Sequence, residues 1–185
     1  MIELRSRLEL MPSIHGAGYP LGLSTRVRLQ GDELQLSELL LDTALTGAGL
    51  PPAGLPLQLK LALVQGDLAT QRYVFSGGSV SCGAAQLALR DMALQIAADG
   101  AHLQAGFELP AVSLRKVLAA VGVRPPHTRD AAVMERLAAR GHIDVAPTGW
   151  QLRLDALQLD ETTFAGSVTA GAPAGVLEFA LRGDA

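Results

Sequence analysis

The chain has 185 residues, of which 49% are hydrophobic and only 18% are charged. This composition excludes a disordered or collagen-like chain, and the length indicates one domain or one module of a larger protein. The net charge of -3 gives no general attraction to phosphate, so we expect no nucleic-acid partner. Cys82 is the only cysteine, which excludes an internal disulfide and a thiolate-rich zinc site.

Residues 1–112 alternate between apolar and polar side chains with a period of two. The most regular run consists of Leu55, Leu57, Leu59, Leu61 and Leu63. A later run carries Leu103, Phe107 and Leu109. Such one-sided alternation is typical of antiparallel strands with one apolar and one solvated face. We therefore predict a mainly β fold, a long, twisted and curved antiparallel sheet whose strands follow one another through short turns such as Gly31-Asp32.

Two apolar runs change phase part of the way along. Odd-numbered Leu87 and Leu89 give way to even-numbered Met92 and Leu94 after Arg90-Asp91. The run from Leu152 to Leu159 changes phase at Asp155-Ala156. One inserted residue that returns the apolar side chains to the same face is a β-bulge, so we predict a bulge at each point. The glycine-rich segment Ser76–Ser79 is interpreted as a hairpin loop.

The region 113–140 differs from the rest and is predicted to be a short helix-loop-helix insertion. Ser113 can cap a first helix whose apolar positions are Leu114, Val117, Leu118 and Val121. Gly122 and the following prolines end this helix. We predict a second helix that begins at Thr128 or Asp130, carries Val133, Met134 and Leu137 and ends at Gly141. Strands resume in 141–185, and all three regions are expected to form one module.

The residues do not present a catalytic or metal-binding pattern, and we predict a protein that is not an enzyme and needs no cofactor. The histidines are widely spaced and lack neighbouring cysteines; they are His15, His102, His127 and His142. No phosphate-binding glycine loop is present. Asp155, Asp160 and Glu161 are interpreted as hairpin residues. Cys82 has no activating base nearby in sequence, and we expect it to be at least partly buried.

The aliphatic face of the strands admits two interpretations. Two such faces can pack against each other as a closed β-sandwich, whereas one open and curved sheet would form a groove for acyl chains. Periodicity alone favours the sandwich. The longest apolar stretch, Val117 to Val123, is too short to span a bilayer, for which about 20 residues are needed.

The carboxy-terminal part resembles the AsmA family of bacterial envelope proteins. Residues 113–130, with Pro125-Pro126 followed by Thr128, are similar to the family segment LRxLLxxLGhxPPxTxD, where h is apolar. Residues 160–168 are similar to its LDDTxxxGSL hairpin, and residues 173–184 to its PxxxFDLxxDxLDLDxY strand. Residues 1–112 share only the leucine-rich alternating style.

The resemblance implies a periplasmic module of a Gram-negative envelope protein, a fragment of a longer chain anchored to the inner membrane outside this sequence. It also implies a role in outer-membrane homeostasis, with a concave apolar groove that shields phospholipid or other acyl chains. The expected partners are such lipids, the missing parts of its own chain and envelope proteins. The predicted groove lining consists of Leu57, Leu59, Leu61, Leu63, Leu103, Phe107 and Leu109. The alternative is an assembly or scaffold domain that influences outer-membrane protein biogenesis without binding lipid.

Overall fold

The computed structural model describes residues 2–10, 13–14, 17–18, 21–45, 54–83, 85–127, 133–171 and 177–184, with side chains from residue 21 onward. These residues form strands and one short helix. The strands are β1 (Ile2–Leu10), β2 (Ser13–Ile14), β3 (Ala17–Gly18), β4 (Leu21–Gln30), β5 (Glu33–Leu45), β6 (Leu55–Asp67), β7 (Arg72–Cys82), β8 (Ala85–Ala97), β9 (Gly100–Val112), β10 (Leu137–Ala146), β11 (Gly149–Leu159), β12 (Thr162–Gly171) and β13 (Leu177–Asp184), and the helix is α1 (Leu114–Ala120).

Eleven strands form one antiparallel sheet in the order β1-β4-β5-β6-β7-β8-β9-β10-β11-β12-β13, and β2 pairs only with β3. Apart from that small pair, every strand lies beside the strand that precedes it in the chain. The predicted succession of long hairpin-connected strands is therefore confirmed. Extensive contacts in the large sheet join hydrogen-bonded neighbours alone, so the described strands form an open single layer instead of the two-layer sandwich that periodicity favoured.

The accessible surface is large for a chain of this size. It amounts to 12200 Å², whereas a compact protein of 19.3 kDa exposes about 8,500 Å². Among the described residues, the buried hydrophobic side chains are Leu55, Leu61, Val64, Met92 and Ala105. Nearly half of the chain is hydrophobic, and yet most of the aliphatic side chains among the described residues are only half-buried. A single layer has this consequence, since one sheet face has no second layer to bury it.

Both predicted bulges are present. The register between β8 and β9 shifts between Arg90 and Ala93, and the register between β11 and β12 shifts between Leu154 and Leu157. In each case the apolar side chains return to the face they occupied before the bulge. The bulges also increase the local twist and bend of their strands.

The bulge in β8 belongs to a line of inserted residues that crosses four neighbouring strands. The inserted residues are Glu38, Ala62, Gly77 and Asp91, and none of them has a partner in the pairings between these strands. Three of the four, Glu38, Gly77 and Asp91, have positive φ angles of 55°, 64° and 49°. Because β5 to β8 each insert a residue at the same level, their mutual register is preserved and shifts only against β4 and β9.

The interpretation of Ser76–Ser79 as a hairpin loop is wrong, because the segment lies within β7. Gly77 is the inserted residue of that strand, and a Cβ there would lie 2.8 Å from the Cβ of Ala62. A residue in the left-handed region beside so close a neighbour favours glycine. The glycines therefore serve the bend in the strand, and β7 turns into β8 only at Gly83.

The first predicted helix is confirmed and the second is not. The Ser113 side chain accepts a hydrogen bond from the backbone N–H of Lys116, and α1 ends at Ala120. Residues 128–132 lie outside the described residues, but Val133 and Met134 form a turn and Leu137 begins β10. Leu137 adopts a strand conformation instead of a helical one because pairing with β9 and β11 provides hydrogen-bond partners for its backbone on both sides.

Candidate functional site: the concave apolar face

The two faces of the sheet differ in chemistry. We call apolar face the side that carries the buried cluster of Leu61, Val64, Met92 and Ala105. Half-buried side chains pack around this cluster: Leu36, Leu39, Leu59, Tyr73, Phe75, Leu89, Leu103 and Ile143. We call polar face the opposite side. Since residues directly opposite each other in a ladder share a face, the pairings assign the remaining strand residues to one side or the other.

Six of the seven predicted lining residues lie on the apolar face. In β6, Leu57, Leu59 and Leu61 are opposite Cys82, Val80 and Gly78 of β7, respectively. In β9, Leu103 is opposite Val145, Phe107 is opposite Gly141, and Leu109 is opposite Ala139 of β10. The structure brings Leu59, Leu61 and Leu103 together around the buried cluster, while Leu57 and Leu109 lie toward the end of the sheet that carries α1.

Leu63 is the exception, and its predicted place on the lining is wrong. It is opposite Ser37 of β5 and Ser76 of β7, on the polar face. Leu61 and Val64 are three residues apart and yet belong to the same buried cluster, which requires a change of phase between them. The inserted Ala62 makes that change, and it turns Leu63 away from the face that Leu61 occupies.

The burial of the cluster indicates that the sheet curves toward its apolar face. Val64 is 2% exposed and Leu61 is 4% exposed, although no second strand layer covers them among the described residues. On a flat single sheet, solvent would reach both side chains from above. Leu36, Val64, Phe75 and Met92 follow one another across β5 to β8 along the line of inserted residues. The bend at that line brings neighbouring side chains toward one another and excludes water from them.

Aromatic rings lie over glycines at three positions on the apolar face. Tyr73 is directly opposite Gly66, where a Cβ would overlap the tyrosine ring. Phe107 is opposite Gly141, with the ring end 3.0 Å from the position of a glycine Cβ. Phe164 is opposite Gly183 in the same way. Each ring rests on a backbone that has no side chain, an arrangement that fixes cross-strand register. Sequence reasoning missed these pairs because they depend on register.

One end of the apolar face lies next to the helical connection. A Cβ on Gly83 would lie 3.0 Å from the Cβ of Ala120 in α1 and 3.6 Å from Leu55 Cδ1. Leu55 is buried there, at the start of β6. The helix therefore borders the apolar face at this end of the sheet.

Asp160 anchors that connection to the sheet. Its carboxylate accepts hydrogen bonds from the backbone N–H groups of Met134, at 2.7 Å, Glu135, at 3.0 Å, and Arg136, at 3.1 Å. The bonds from Met134 and Arg136 contribute most to holding the pKa of Asp160 below its ordinary value of 3.8. Arg115 of α1 in turn donates from Nε to the carbonyl of Val133 at 2.8 Å. Asp160 thus positions the segment that carries the helix, in addition to its place in the β11–β12 turn.

The polar face carries solvated charged and polar side chains in close pairs. They are Arg26–Glu38 at 2.9 Å, Arg90–Glu108, His142–Asp155 at 3.2 Å and Arg153–Asp155 at 3.3 Å. Exposed pairs of this kind contribute little to stability, and they keep this side of the sheet compatible with water.

A cavity of about 500 Å³ near the β10–β11 turn is lined by Gln104, Asp144, Trp150 and Glu178, among others.

Several features bear on the other predicted chemistry. In the part of the chain that the structure describes, no group of three or more His, Cys, Asp or Glu side chains could hold a metal ion. His102 contacts Asp99 at 3.1 Å, whereas His15 lies outside the described residues. Cys82 is a free, half-buried thiol on the apolar face, so its predicted partial burial is confirmed.

No helix within the described ranges is long and apolar enough to cross a membrane. Comparisons with protein families, with curated proteins and with solved structures find no match to this chain.

Proposed function

We propose that the concave apolar face holds the acyl chains of phospholipid or of another lipid, and that the chain is a non-enzymatic module carrying or shielding them in the bacterial envelope. The observation that supports this proposal most directly is the open single layer. Its aliphatic side chains line a concave surface that no other described strand covers. A large uncovered apolar surface is typical of a binding site.

The chemistry of the face suits an acyl chain. A hydrocarbon chain makes no hydrogen bonds, so its binding surface must leave no polar group without a partner. Leucine, valine, methionine and phenylalanine side chains meet this condition. Shielding about eight methylene groups of a bound chain from water would contribute about 6 kcal/mol, at about 0.8 kcal/mol per group. Eleven strands spaced by about 4.8 Å give a surface about 50 Å across, enough for more than one chain.

The cellular setting of the proposal comes from the resemblance of residues 113–185 to AsmA proteins. It supports a location in the periplasm, with the module held to the inner membrane by a segment outside this sequence. Its partners there are the lipids themselves, the rest of its own chain and other envelope proteins. The lipids would pass between the inner and outer membranes, which links the module to outer-membrane homeostasis.

Native mass spectrometry with lipid extraction tests the proposal on protein purified from bacterial envelopes. We expect phospholipid to copurify in near-stoichiometric amount. A photo-crosslinking amino acid placed at Leu103, on the apolar face, is expected to capture this lipid. The same amino acid at Gln104, the next residue but on the polar face, is the matched control.

Two charge variants test whether lipid binding depends on the apolar face. Leu59→Asp places a charge on the apolar face and is expected to remove most of the bound lipid, whereas Leu63→Asp on the polar face retains it. Circular dichroism verifies that both variants keep their strands. A lipid-free protein, or equal crosslinking at Leu103 and Gln104, would contradict the proposal and favour the alternative of an assembly or scaffold domain.

A further inference from the structure

The last strand, β13, forms an open edge of the sheet. It pairs with β12 on one side, and no described strand lies on its other side. Its apolar side chains are strongly exposed: Leu177 by 54%, Phe179 by 65% and Leu181 by 47%. The strand lacks proline and lysine and has no register shift against β12. Proline, lysine and β-bulges are features by which proteins usually protect an edge strand from pairing, and β13 has none of them. This edge can therefore accept another strand.

The charges on β13 have an ordered arrangement. Glu178 and Arg182 both lie on the polar face, where their neighbours in β12 are Thr169 and Ala165. Neither side chain forms an ion pair with another described residue. Asp184, opposite Thr163, lies on the same face at the end of the strand. The edge therefore presents two unlike charges, Glu178 and Arg182, two residues on either side of Ala180, and a second negative charge at Asp184.

We propose that two copies of this chain pair through β13, antiparallel and about a two-fold axis at Ala180, to form one continuous sheet. In this register Glu178 of each copy is opposite Arg182 of the other, which gives two ion pairs on the polar face. Phe179 is opposite Leu181 on the apolar face, and Leu177 is opposite Gly183. The two-fold axis is perpendicular to the sheet, so both apolar faces lie on the same side.

The charge pattern selects this register over the neighbouring ones. Since opposite residues must share a face, the register can move only in steps that keep polar residues opposite polar residues. Centring the pair on Leu181 would place Glu178 opposite Asp184, and centring it on Arg182 would place the two arginines opposite each other. Centring it on Phe179 leaves both charges without an opposite charge among the described residues. Centring it on Gly183 would place Arg182 opposite Asp184, but it would pair only residues 182–184 of the described strand. The register centred on Ala180 is therefore the one that joins unlike charges while most of β13 is paired.

The paired edges would bury a small surface, so we expect a weak and concentration-dependent dimer. Its apolar face would be about twice as wide as that of one copy. The inference itself does not depend on what that face binds, because it rests on the edge and its charges.

Sedimentation velocity over a concentration series tests the pairing with charge variants. The unchanged chain is expected to form a reversible dimer. Glu178→Lys and Arg182→Glu each place like charges opposite one another at two symmetric positions, and each is expected to weaken the dimer by at least about tenfold. An equimolar mixture of the two variants restores unlike charges at both positions and is expected to recover the dimer. Glu161→Lys, in the β11–β12 turn and outside the residues that pair with β13, is the matched charge control.

The outcomes separate this pairing from other contacts. A chain that stays monomeric up to about 1 mM, the concentration of a very weak complex, would overturn the proposal. So would a dimer that both single variants leave unchanged, or a mixture that does not recover. A ladder of higher oligomers would indicate pairing between the two different edges of the sheet, and it would overturn the two-fold arrangement as well.

Discussion

The phase change in β6 leads to a testable prediction about two leucines that are two residues apart. It places one of them in the buried cluster on the apolar face and the other on the polar face. Leu61 lies in the buried cluster, next to Leu39 and opposite Gly78. Leu63 lies on the polar face between Ser37 and Ser76. The same substitution, to threonine, therefore has different consequences at the two positions.

The expected losses of unfolding free energy follow from these surroundings. Leu61→Thr removes about two buried carbon groups, worth about 1.6 kcal/mol, and buries a hydroxyl without a partner, which costs about 1–3 kcal/mol more. The total is about 3–5 kcal/mol. Leu63→Thr keeps the hydroxyl in contact with water or with a neighbouring serine, and threonine suits a strand, so we expect a change below about 1 kcal/mol.

Urea unfolding measures the difference, with the fluorescence of Trp150, the only tryptophan, and far-UV circular dichroism as two probes. We expect a gap of about 2 kcal/mol or more between the variants at an unchanged m-value. Equal losses, or a larger loss at Leu63, would refute the phase change at Ala62 and with it the assignment of faces in β6.

Three further predictions concern the bend, the helical connection and the thiol. At the line of inserted residues, Asp91→Gly relieves a positive φ and is expected to raise the free energy of unfolding by between 0 and about 1 kcal/mol. Gly77→Ala is expected to lower the free energy of unfolding by about 1 kcal/mol or more. Urea unfolding of both variants measures these changes, and the opposite order would count against the bend. Because the folded pKa of Asp160 lies below 3.8, its contribution to stability is present above about pH 4 and lost as the pH falls through the folded value. Asp160→Asn is expected to flatten the loss of stability with acid, and an unchanged acid slope in thermal melts from pH 6 to pH 2 would contradict this. The half-buried Cys82 is expected to react with a thiol reagent more slowly in the native protein than in urea, and equal rates would show that it is exposed.

Local patterns in the sequence predicted much of the fold. The alternation of leucines predicted long antiparallel strands, and Ser113 with its apolar spacing predicted α1. The bulges in β8 and β11 were also predictable, because polar residues separate the two phases of each apolar run and make the change visible. These features depend on neighbours in sequence, where propensity, capping and periodicity act.

The phase change in β6 was hidden for a physical reason. Leu63 and Val64 are both apolar, so the sequence does not mark which of them faces the cluster. The inserted Ala62 is defined only by its position between the inserted residues of β5 and β7. The aromatic rings over glycines are hidden in the same way, since each pair joins two strands whose register must be known first.

The openness of the sheet was decided by tertiary structure alone. A sandwich and a single curved layer both require strands with one apolar side, so the same alternation encodes both. The helical spacing of Val133, Met134 and Leu137 was likewise overridden, because Leu137 gains a paired backbone on each side within the sheet. Sequence thus determined the strands and the chemistry of their two sides, since these depend on each residue and its neighbours. Long-range pairing decided register, curvature and what each side faces, because it joins segments that are distant in the chain.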